Sequence, residues 1–454
     1  MSTIAAVATP PGQGGIGIVR ISGPGAKNLL GRVFLPHSRR FVNFRPWTMH
    51  RGVILDEKDE PLDDVLAVFM PGPRTYTGED MAEIHCHGGA YLVQAVLRSL
   101  FRLGARAAER GEFTRRAFLN GKMDLSQAEA VSELIAASGE EAIRLSLDRL
   151  EGRLGAQARE LSGLIDNLRI LARVGVDFPE DEIEELEPEA ASIALEKIIA
   201  RLDRLLEGAE RARLASQGAM IVLAGAVNAG KSSLLNTLSG RNRALVAAEP
   251  GTTRDYIEER LNLDGLACRL VDTAGLRTAD SEIEAAGIAK SRELLKQADL
   301  IVLIIDSAAP VFPDEEFANL ATARPCLLTF NKIDLGANKT ELPVWARELP
   351  SCEISALTGA NIDGLCATLR RMLLAPLPDG AFDNGVTPNI RQAEALRRAR
   401  AELCALQADF GAGVPHDCCL ARLDTATACL GEIIGLSAED EMLDSIFSTF
   451  CIGK

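Results

Sequence analysis

The sequence predicts a multidomain chain: an α+β N-terminal domain, an α-helical central domain, and an α/β P-loop domain inserted into the helical one. Three observations predict it. At 454 residues the chain exceeds what one hydrophobic core supports, and ordinary domain sizes divide it into about two to four parts. From about 218 to 376, strand-like apolar runs alternate with helical ones around a glycine-rich loop, GAVNAGKS. Helical periodicity flanks that region on both sides.

The elements follow in order. Residues 1–118 mix short β-like runs at 15–22, 64–70 and 81–86 with Gly and Pro turns, and form the α+β domain. From Ser126 a helical period begins, opened by a capping box in which Ser126 caps and Glu129 reaches back. Val131, Leu134, Ile135, Ile143, Leu147, Leu150 and Leu154 carry its apolar stripe, and the run continues to about Val176. The acidic stretch DFPEDEIEELEPE stops it and reads as a solvated hinge, with acids at a helix N-terminus, in place of a contact for a basic partner. A second helix starts near Pro188. Strands at 220–224, 268–272, 300–306 and 326–331 alternate with helices, the pattern of a parallel sheet with crossovers. After PLPDGAFDNG, helical periodicity returns from about Pro388 to Phe450. The helical domain therefore comprises 119–215 with 379–454, and the inserted domain 216–378.

Composition narrows the function classes. With 47% apolar and 25% charged residues the chain is an ordinary globular protein. A net charge of −15 argues against broad, sequence-independent adhesion to nucleic acid, which Lys and Arg drive by displacing counterions. Arg98, Arg102, Arg106, Arg110, Arg115, Arg116 and Lys122 form a local basic stretch, read equally as solvated charges or as a contact for nucleic acid. No apolar run reaches the roughly 18 residues that cross a bilayer, and MSTIAAVATPPGQGG lacks a charged start followed by an apolar core. A cytoplasmic protein without membrane contact is expected. The ten cysteines lack paired CxxC units, so most are expected to be reduced core residues; Cys418-Cys419 is read as packing. In His85-Cys86-His87 the side chains alternate faces of a strand and cannot close a tetrahedral metal site unaided.

The inserted domain carries a nucleotide site. GAVNAGKS, at 225–232, follows an apolar strand and opens a helix over about 233–238, the context a phosphate-binding loop requires. Backbone N–H groups around Asn228, Ala229 and Gly230 close on the phosphates, Lys231 bridges the β- and γ-phosphates, Ser232 offers a hydroxyl to Mg²⁺, and Ser233 continues the first turn. GTTRD at 251–255 presents Thr252 and Thr253, the latter as second hydroxyl for Mg²⁺. DTAG follows: Asp272 holds the metal through water, Thr273 and Ala274 extend the loop, and the Gly275 N–H senses the γ-phosphate. NKID supplies Asn331, Lys332 and Asp334, whose carboxylate accepts both guanine N–H donors where adenine presents the wrong pattern. Ser355 and Ala356 complete the base pocket. The expected ligands are GTP and Mg²⁺, and the expected reaction is GTP hydrolysis.

The hydrolytic apparatus departs from the Ras-like arrangement. Leu276 stands where a water-orienting Gln is usual, and it cannot polarise water. Glu282 and Glu284 are the downstream candidates. No arginine finger is evident, and a monovalent cation can supply the charge in its place; Asn228 is placed to coordinate one.

Taken together these segments resemble the MnmE (TrmE) family of tRNA-modification GTPases over essentially the whole chain. Further matches are GGIGIVRISG at 14–23, YTGEDMAEIHCHGG at 76–89, GEFTRRAFLNGKMDLSQAEA at 111–130 and the terminal FCIGK. The resemblance implies an N-terminal domain that binds a tetrahydrofolate and dimerises, a helical domain and an inserted G domain. It implies a homodimer that joins a flavoprotein of the MnmG (GidA) type, with FAD, in a heterotetramer. That complex adds an aminomethyl-type (carboxymethylaminomethyl) group to carbon 5 of the wobble uridine of certain tRNAs, using 5-formyl- or 5,10-methylene-tetrahydrofolate as one-carbon source. Folate contacts carry over to Arg20, Glu83, Lys122 and Lys454. By residue type, Arg20 and Lys122 suit an anionic folate and Glu83 the pterin N–H groups, although Arg20 alone also reads as an exposed strand charge. A K⁺ site carries over to Asn228, Ala247, Glu249 and Thr252, and the water-orienting role to Glu284, acting with Lys231. Two departures bear on the cation: Val227 stands where the family usually has Pro, and AAEP precedes GTTRD where a Thr-Asp pair is common. Cys451 is either a thiolate beside the folate or a packed tail thiol; CIGK is no prenylation box, since Lys is a poor last residue for one. The rival reading is a regulatory GTPase that binds RNA or a ribosome and performs no one-carbon chemistry.

Overall fold

Alternation of buried and exposed residues along Gly14–Ser22 and Met81–Gly88 makes these two segments the centre of an N-terminal sheet. The computed structural model describes residues 2–56, 58–137, 139–177, 188–209, 213–214, 218–241, 257–272, 292–313, 318–319, 323–336, 341–374, 386–412 and 416–454. The chain divides into two compact units: Met1–Ser132 with Leu150–Pro188 and Ala405–Lys454, and Glu133–Arg149 with Glu189–Cys404.

The first unit holds a seven-stranded sheet of β1 (Ile4–Val7), β2 (Gly14–Ser22), β3 (Phe34–Pro36), β4 (His50–Leu55), β5 (Pro61–Met70), β6 (Met81–Gly88) and β7 (Arg106–Ala107), in the order β3-β4-β5-β6-β2-β1-β7. Val19, Ile21, Ala82 and Ile84 pack on the apolar sides of α1 (Ala26–Val33) and α2 (Ala90–Arg102), where Leu30, Val96 and Leu100 are buried. The alternate residues of the same strands, Arg20, Glu83 and His85, are thereby turned to the other face. α3 (Glu112–Leu119) contributes Phe113, which packs with Ile4 and Met81.

The long helical run breaks into three: α4 (Leu125–Ala136), α5 (Glu140–Leu150) and α6 (Arg153–Asp177). Asp124, not Ser126, caps α4. Its Oδ1 accepts the Gln127 N–H at 3.1 Å and the Ser126 hydroxyl at 2.6 Å, and Gln127 Oε1 accepts the Asp124 N–H at 3.0 Å. The reciprocal pair thus sits two residues earlier than the expected box, and Ser126 lies inside the first turn. Between α5 and α6 the chain turns at Gly152, whose φ of 74° lies in the left-handed region and ends a helix. Each break resets the helical phase, so the expected stripe does not continue: Ile135, Ile143 and Leu147 are exposed, and α5 buries Ala142, Leu145, Ser146 and Arg149 instead. On α6 the buried residues Leu154, Ala158, Leu161, Ile165, Leu168 and Ala172 recur every three to four positions, and the helix packs on α11 (His416–Ile434). α7 (Pro188–Glu207), α10 (Ile390–Ala412) and α12 (Asp440–Ser448) are the remaining helices flanking the inserted region.

The second unit holds the six-stranded sheet of β8 (Ala219–Gly225), β9 (Ile257–Leu263), β10 (Leu266–Asp272), β11 (Leu300–Asp306), β12 (Cys326–Asn331) and β13 (Ser351–Glu353), ordered β13-β12-β11-β8-β10-β9. Every pairing is parallel except the β9–β10 hairpin. β8 and β11 are buried on both faces, as expected of central parallel strands. One face packs Leu234 and Leu238 of α8 (Lys231–Arg241) and Leu365 and Leu369 of α9 (Ile362–Leu374); the other packs Leu294, Leu295 and Trp345. Burial pushes the thiols of Cys268 and Cys326 up to about 12, as for inert core residues.

Candidate functional site

β8 ends at Gly225 and α8 begins at Lys231, so the loop between them opens on a helix N-terminus, where unpaired N–H groups favour an anion. Gly230 has φ 99°, and a Cβ built there would lie 2.1 Å from Asn331 Nδ2. Only glycine fits. Asn228 is also left-handed, at φ 63°, a conformation that asparagine tolerates better than most residues. The Lys231 ammonium folds over the loop, 2.9 Å from Gly225 O and 2.7 Å from Ala226 O. Ser232 Oγ donates to Asp272 Oδ2 at 2.9 Å, bringing together two hard oxygen donors of the kind Mg²⁺ takes.

The base side is assembled from the ends of β12 and β13. Asn331, buried, donates from Nδ2 to Ala229 O in the phosphate loop and accepts the Ala356 N–H on Oδ1, both at 2.9 Å. Asp334 accepts the Ser355 hydroxyl. Lys332, left-handed at φ 64°, extends to Asp306 Oδ2 at 2.6 Å. Burial pushes the Asp306 carboxyl up, but Lys332 and the N–H groups of Ala308 and Ala309 outweigh it and hold the group below its usual value. One phosphate-side residue joins this loop as well: Thr237 Oγ1, on α8, lies 2.9 Å from Ala356 O. Sequence reading missed Thr237 and Asp306. Asp306 closes an apolar strand, and Thr237 follows Ser233 by one helical turn, which are the only signals available for either.

Asn228, Ala229, Gly230, Lys231, Ser232, Ser233, Asp272, Asn331, Lys332, Asp334, Ser355 and Ala356 thus line one end of the sheet, at the C-terminal ends of β8, β10, β12 and β13. Ala247, Glu249, Thr252, Thr253, Thr273, Ala274, Gly275, Leu276, Glu282 and Glu284 lie outside the described residues, as do the acidic hinge and PLPDGAFDNG.

A second polar cluster lies in the first unit. Arg20 is directly opposite Glu83 in the β2–β6 ladder, and Nε and Nη2 both reach Oε1 at 2.8 Å. Nη1 donates to Gly453 O at 3.2 Å, and the guanidinium carbon stands 5.8 Å from the Phe113 ring centroid. Glu83 Oε2 meets His85 Nε2 at 3.3 Å. Lys454 is half-buried beside them: burial lowers its ammonium from the ordinary lysine value, Arg20 lowers it further, and Glu83 and Cys451 partly offset this. The Lys454 carbonyl accepts the Phe113 N–H at 3.2 Å, and Ile452 bridges to Arg110. Arg20 is therefore a half-buried ion-pair partner and no exposed strand charge.

Lys122 is not part of this group; exposed, it donates to Pro73 O at 2.9 Å. The Cys451 side chain is exposed, and its backbone carbonyl accepts from Lys454. His85 and His87 pair with separate carboxylates, Glu83 and Asp63, and Cys86 is buried with its thiol pushed up to about 11. No group of three metal-ligating side chains occurs among the described residues. The basic stretch is largely partnered: Arg102 with Asp59, Arg106 with Glu109 and Glu112, Arg115 with Asp444, Arg116 with Glu79 and Glu112. No helix among the described residues is long and apolar enough to cross a membrane.

Comparison with known proteins covers almost the whole chain. The family described as GTP-binding protein TrmE N-terminus matches residues 3–122, and the MnmE helical domain family matches 125–451. The tRNA modification GTPase MnmE of Nitratidesulfovibrio vulgaris strain Hildenborough is 50% identical over 454 residues, 100% of this chain and 99% of that one. Its counterpart in Lawsonia intracellularis is 43% identical over 459 residues, with 100% and 99% covered. Among solved structures, Aquifex aeolicus Era bound to GDP·AlF4⁻ aligns at 26% identity over 40% of this chain and 66% of that one, with a TM-score of 0.28.

Proposed function

Because this chain belongs to the MnmE family of tRNA modification GTPases, we propose that it hydrolyses GTP with Mg²⁺ and K⁺ to drive carbon-5 modification of a tRNA wobble uridine. The observation that carries the GTPase reading is the bonding of Asn331 to both the phosphate loop at Ala229 and the base loop at Ala356. Phosphate and base are thereby recognised by one connected unit. Lys231 and the loop amides neutralise the phosphates, Asp334 reads the base edge, and Ser232 with Asp272 suits Mg²⁺, which supplies charge neutralisation at the phosphates when bound. Thr253 joins that set as second hydroxyl, Thr273 and Ala274 extend the loop, and the Gly275 N–H senses the γ-phosphate. Glu284 orients the attacking water, since Leu276 cannot. Asn228, Thr252, Ala247 and Glu249 hold K⁺ in the place of an arginine finger.

The one-carbon reading rests on the Arg20–Glu83 pair and Lys454. Two cations flank a carboxylate in a half-buried setting, which suits an anionic ligand that also presents N–H donors, as 5-formyl- or 5,10-methylene-tetrahydrofolate does. Lys122 reaches a bound folate only by leaving Pro73. In this reading the chain divides at about 118, 215 and 379, works in the cytoplasm as a homodimer, and acts on tRNA with an FAD-dependent MnmG-type partner. Nucleoside analysis of tRNA from cells lacking the protein tests it: loss of the modified wobble uridine is expected, and unchanged tRNA overturns it. A regulatory RNA-binding GTPase without one-carbon chemistry predicts instead that formyl-tetrahydrofolate shows no saturable binding.

A further inference from the structure

Thr237 carries a contact that no nucleotide-binding motif requires. It lies on α8 one turn past Ser233, and its single hydroxyl is 2.9 Å from two carbonyls, Ser233 O and Ala356 O. One proton serves both. The contact to Ser233 is the usual back-bond of a helical threonine to the residue four before it. The contact to Ala356 joins α8 to a loop 119 positions later.

Both peptide groups flanking the Ala356 Cα are consequently held, its N–H by Asn331 Oδ1 and its C=O by the Thr237 hydroxyl. Asn331 continues to Ala229 O, and the phosphate loop continues into α8. These bonds close a ring: phosphate loop, Asn331, Ala356, Thr237, and back along the helix. Any movement that parts Ala356 from the phosphate side breaks both of these side-chain bonds. Asn331 belongs to the NKID motif; Thr237 belongs to none.

We propose that Thr237 is a positioning residue that sets the lifetime of bound guanine nucleotide by latching the base-side loop to the phosphate-side helix. The latch rests on the nucleotide-site reading alone, and neither K⁺ nor folate enters it. A neutral hydrogen bond of this kind changes an equilibrium or a release rate about three- to tenfold.

Rapid-mixing release of N-methylanthraniloyl-GDP from the full-length protein tests it, together with hydrogen–deuterium exchange of the nucleotide-free protein. Thr237→Val is expected to release the nucleotide about three- to tenfold faster and to speed amide exchange at 354–360 while α8 keeps its protection. Thr237→Ser, which retains the hydroxyl, is expected to restore both. Wild-type release from Thr237→Val overturns the latch, and so does equally fast release from Thr237→Ser, which would assign the effect to the methyl group. Faster exchange confined to α8 overturns it as well, by assigning the hydroxyl to the helix alone. If Thr237→Val does not fold, Thr237→Ala is read by the same criteria. Failure of the wild-type protein to bind the probe would instead refute the nucleotide-site reading.

Discussion

Arg20 and Glu83 face each other across β2 and β6, with two guanidinium nitrogens on one carboxylate oxygen at 2.8 Å. The second carboxylate oxygen is left to His85, and the third guanidinium nitrogen to Gly453 O. The pair is largely shielded from water, so removing one partner strands the other. Arg20→Ala is expected to destabilise the protein by about 1–3 kcal/mol and to abolish formyl-tetrahydrofolate binding. Adding Glu83→Ala should recover much of the stability and none of the binding, which thermal melts and calorimetric titration separate. Binding that survives Arg20→Ala removes this cluster from the folate reading.

Gly230→Ala places a methyl group 2.1 Å from Asn331 Nδ2 and requires a side chain at φ 99°. The Asn331–Ala229 bond must break or the loop must shift. GDP affinity should fall by on the order of tenfold or more in an equilibrium titration, with the N-terminal unit melting as before. Near-wild-type affinity would show that Asn331 does not couple the two loops.

Glu284→Ala is expected to bind GTP with near-normal affinity and to lose most turnover, while Glu282→Ala keeps it. Single-turnover hydrolysis beside nucleotide titration measures both. Substantial turnover by Glu284→Ala would move the water-orienting role to Glu282 or elsewhere.

Lys454 gives a pH dependence of definite sign. Its folded-state pKa is lowered, by burial first and Arg20 second, so its charged form is disfavoured by folding. That cost is fully present below the folded value and fades as pH rises toward 10.5, the ordinary value. Between the two, this group makes stability rise with pH. NMR titration of the reductively methylated lysine should find it below 10.5, and Lys454→Met should flatten the stability profile in that window. A lysine titrating at its ordinary value would contradict the burial seen here.

The nucleotide site was legible because its chemistry is local: a strand, a glycine-rich turn and a helix occur within one short stretch, and NKID closes the strand Cys326–Asn331. The central strands Leu300–Asp306 and Cys326–Asn331 were equally plain, since strands covered on both faces read as unbroken apolar runs. What escaped depended on phase or on distance. The stripe through Ile135, Ile143 and Leu147 requires one continuous helix, whereas Ile135 lies on α4 and Ile143 and Leu147 on the separate α5, and all three are exposed. The cap of α4 sits two positions before the expected box, because Asp124 with Gln127 satisfies the same kind of orphan N–H groups as serine with glutamate. Thr237 to Ala356 spans 119 positions, and nothing in either residue's neighbourhood announces the other. Lys122 matched a motif, yet its side chain is engaged by Pro73, which no motif records.

The Gly453 contact to Arg20 spans 433 positions. During synthesis the N-terminal strands leave the ribosome long before Gly453 and Lys454 exist, so the sheet can fold while its polar cluster is still unfinished. A product terminated before Cys451 would keep the Arg20–Glu83 ladder and lack the tail that seats on Phe113 and Arg110. The β2–β6 pairing is thus made within the N-terminal strands, whereas the polar cluster around it needs a segment more than four hundred positions away, Gly453 being 433 positions from Arg20.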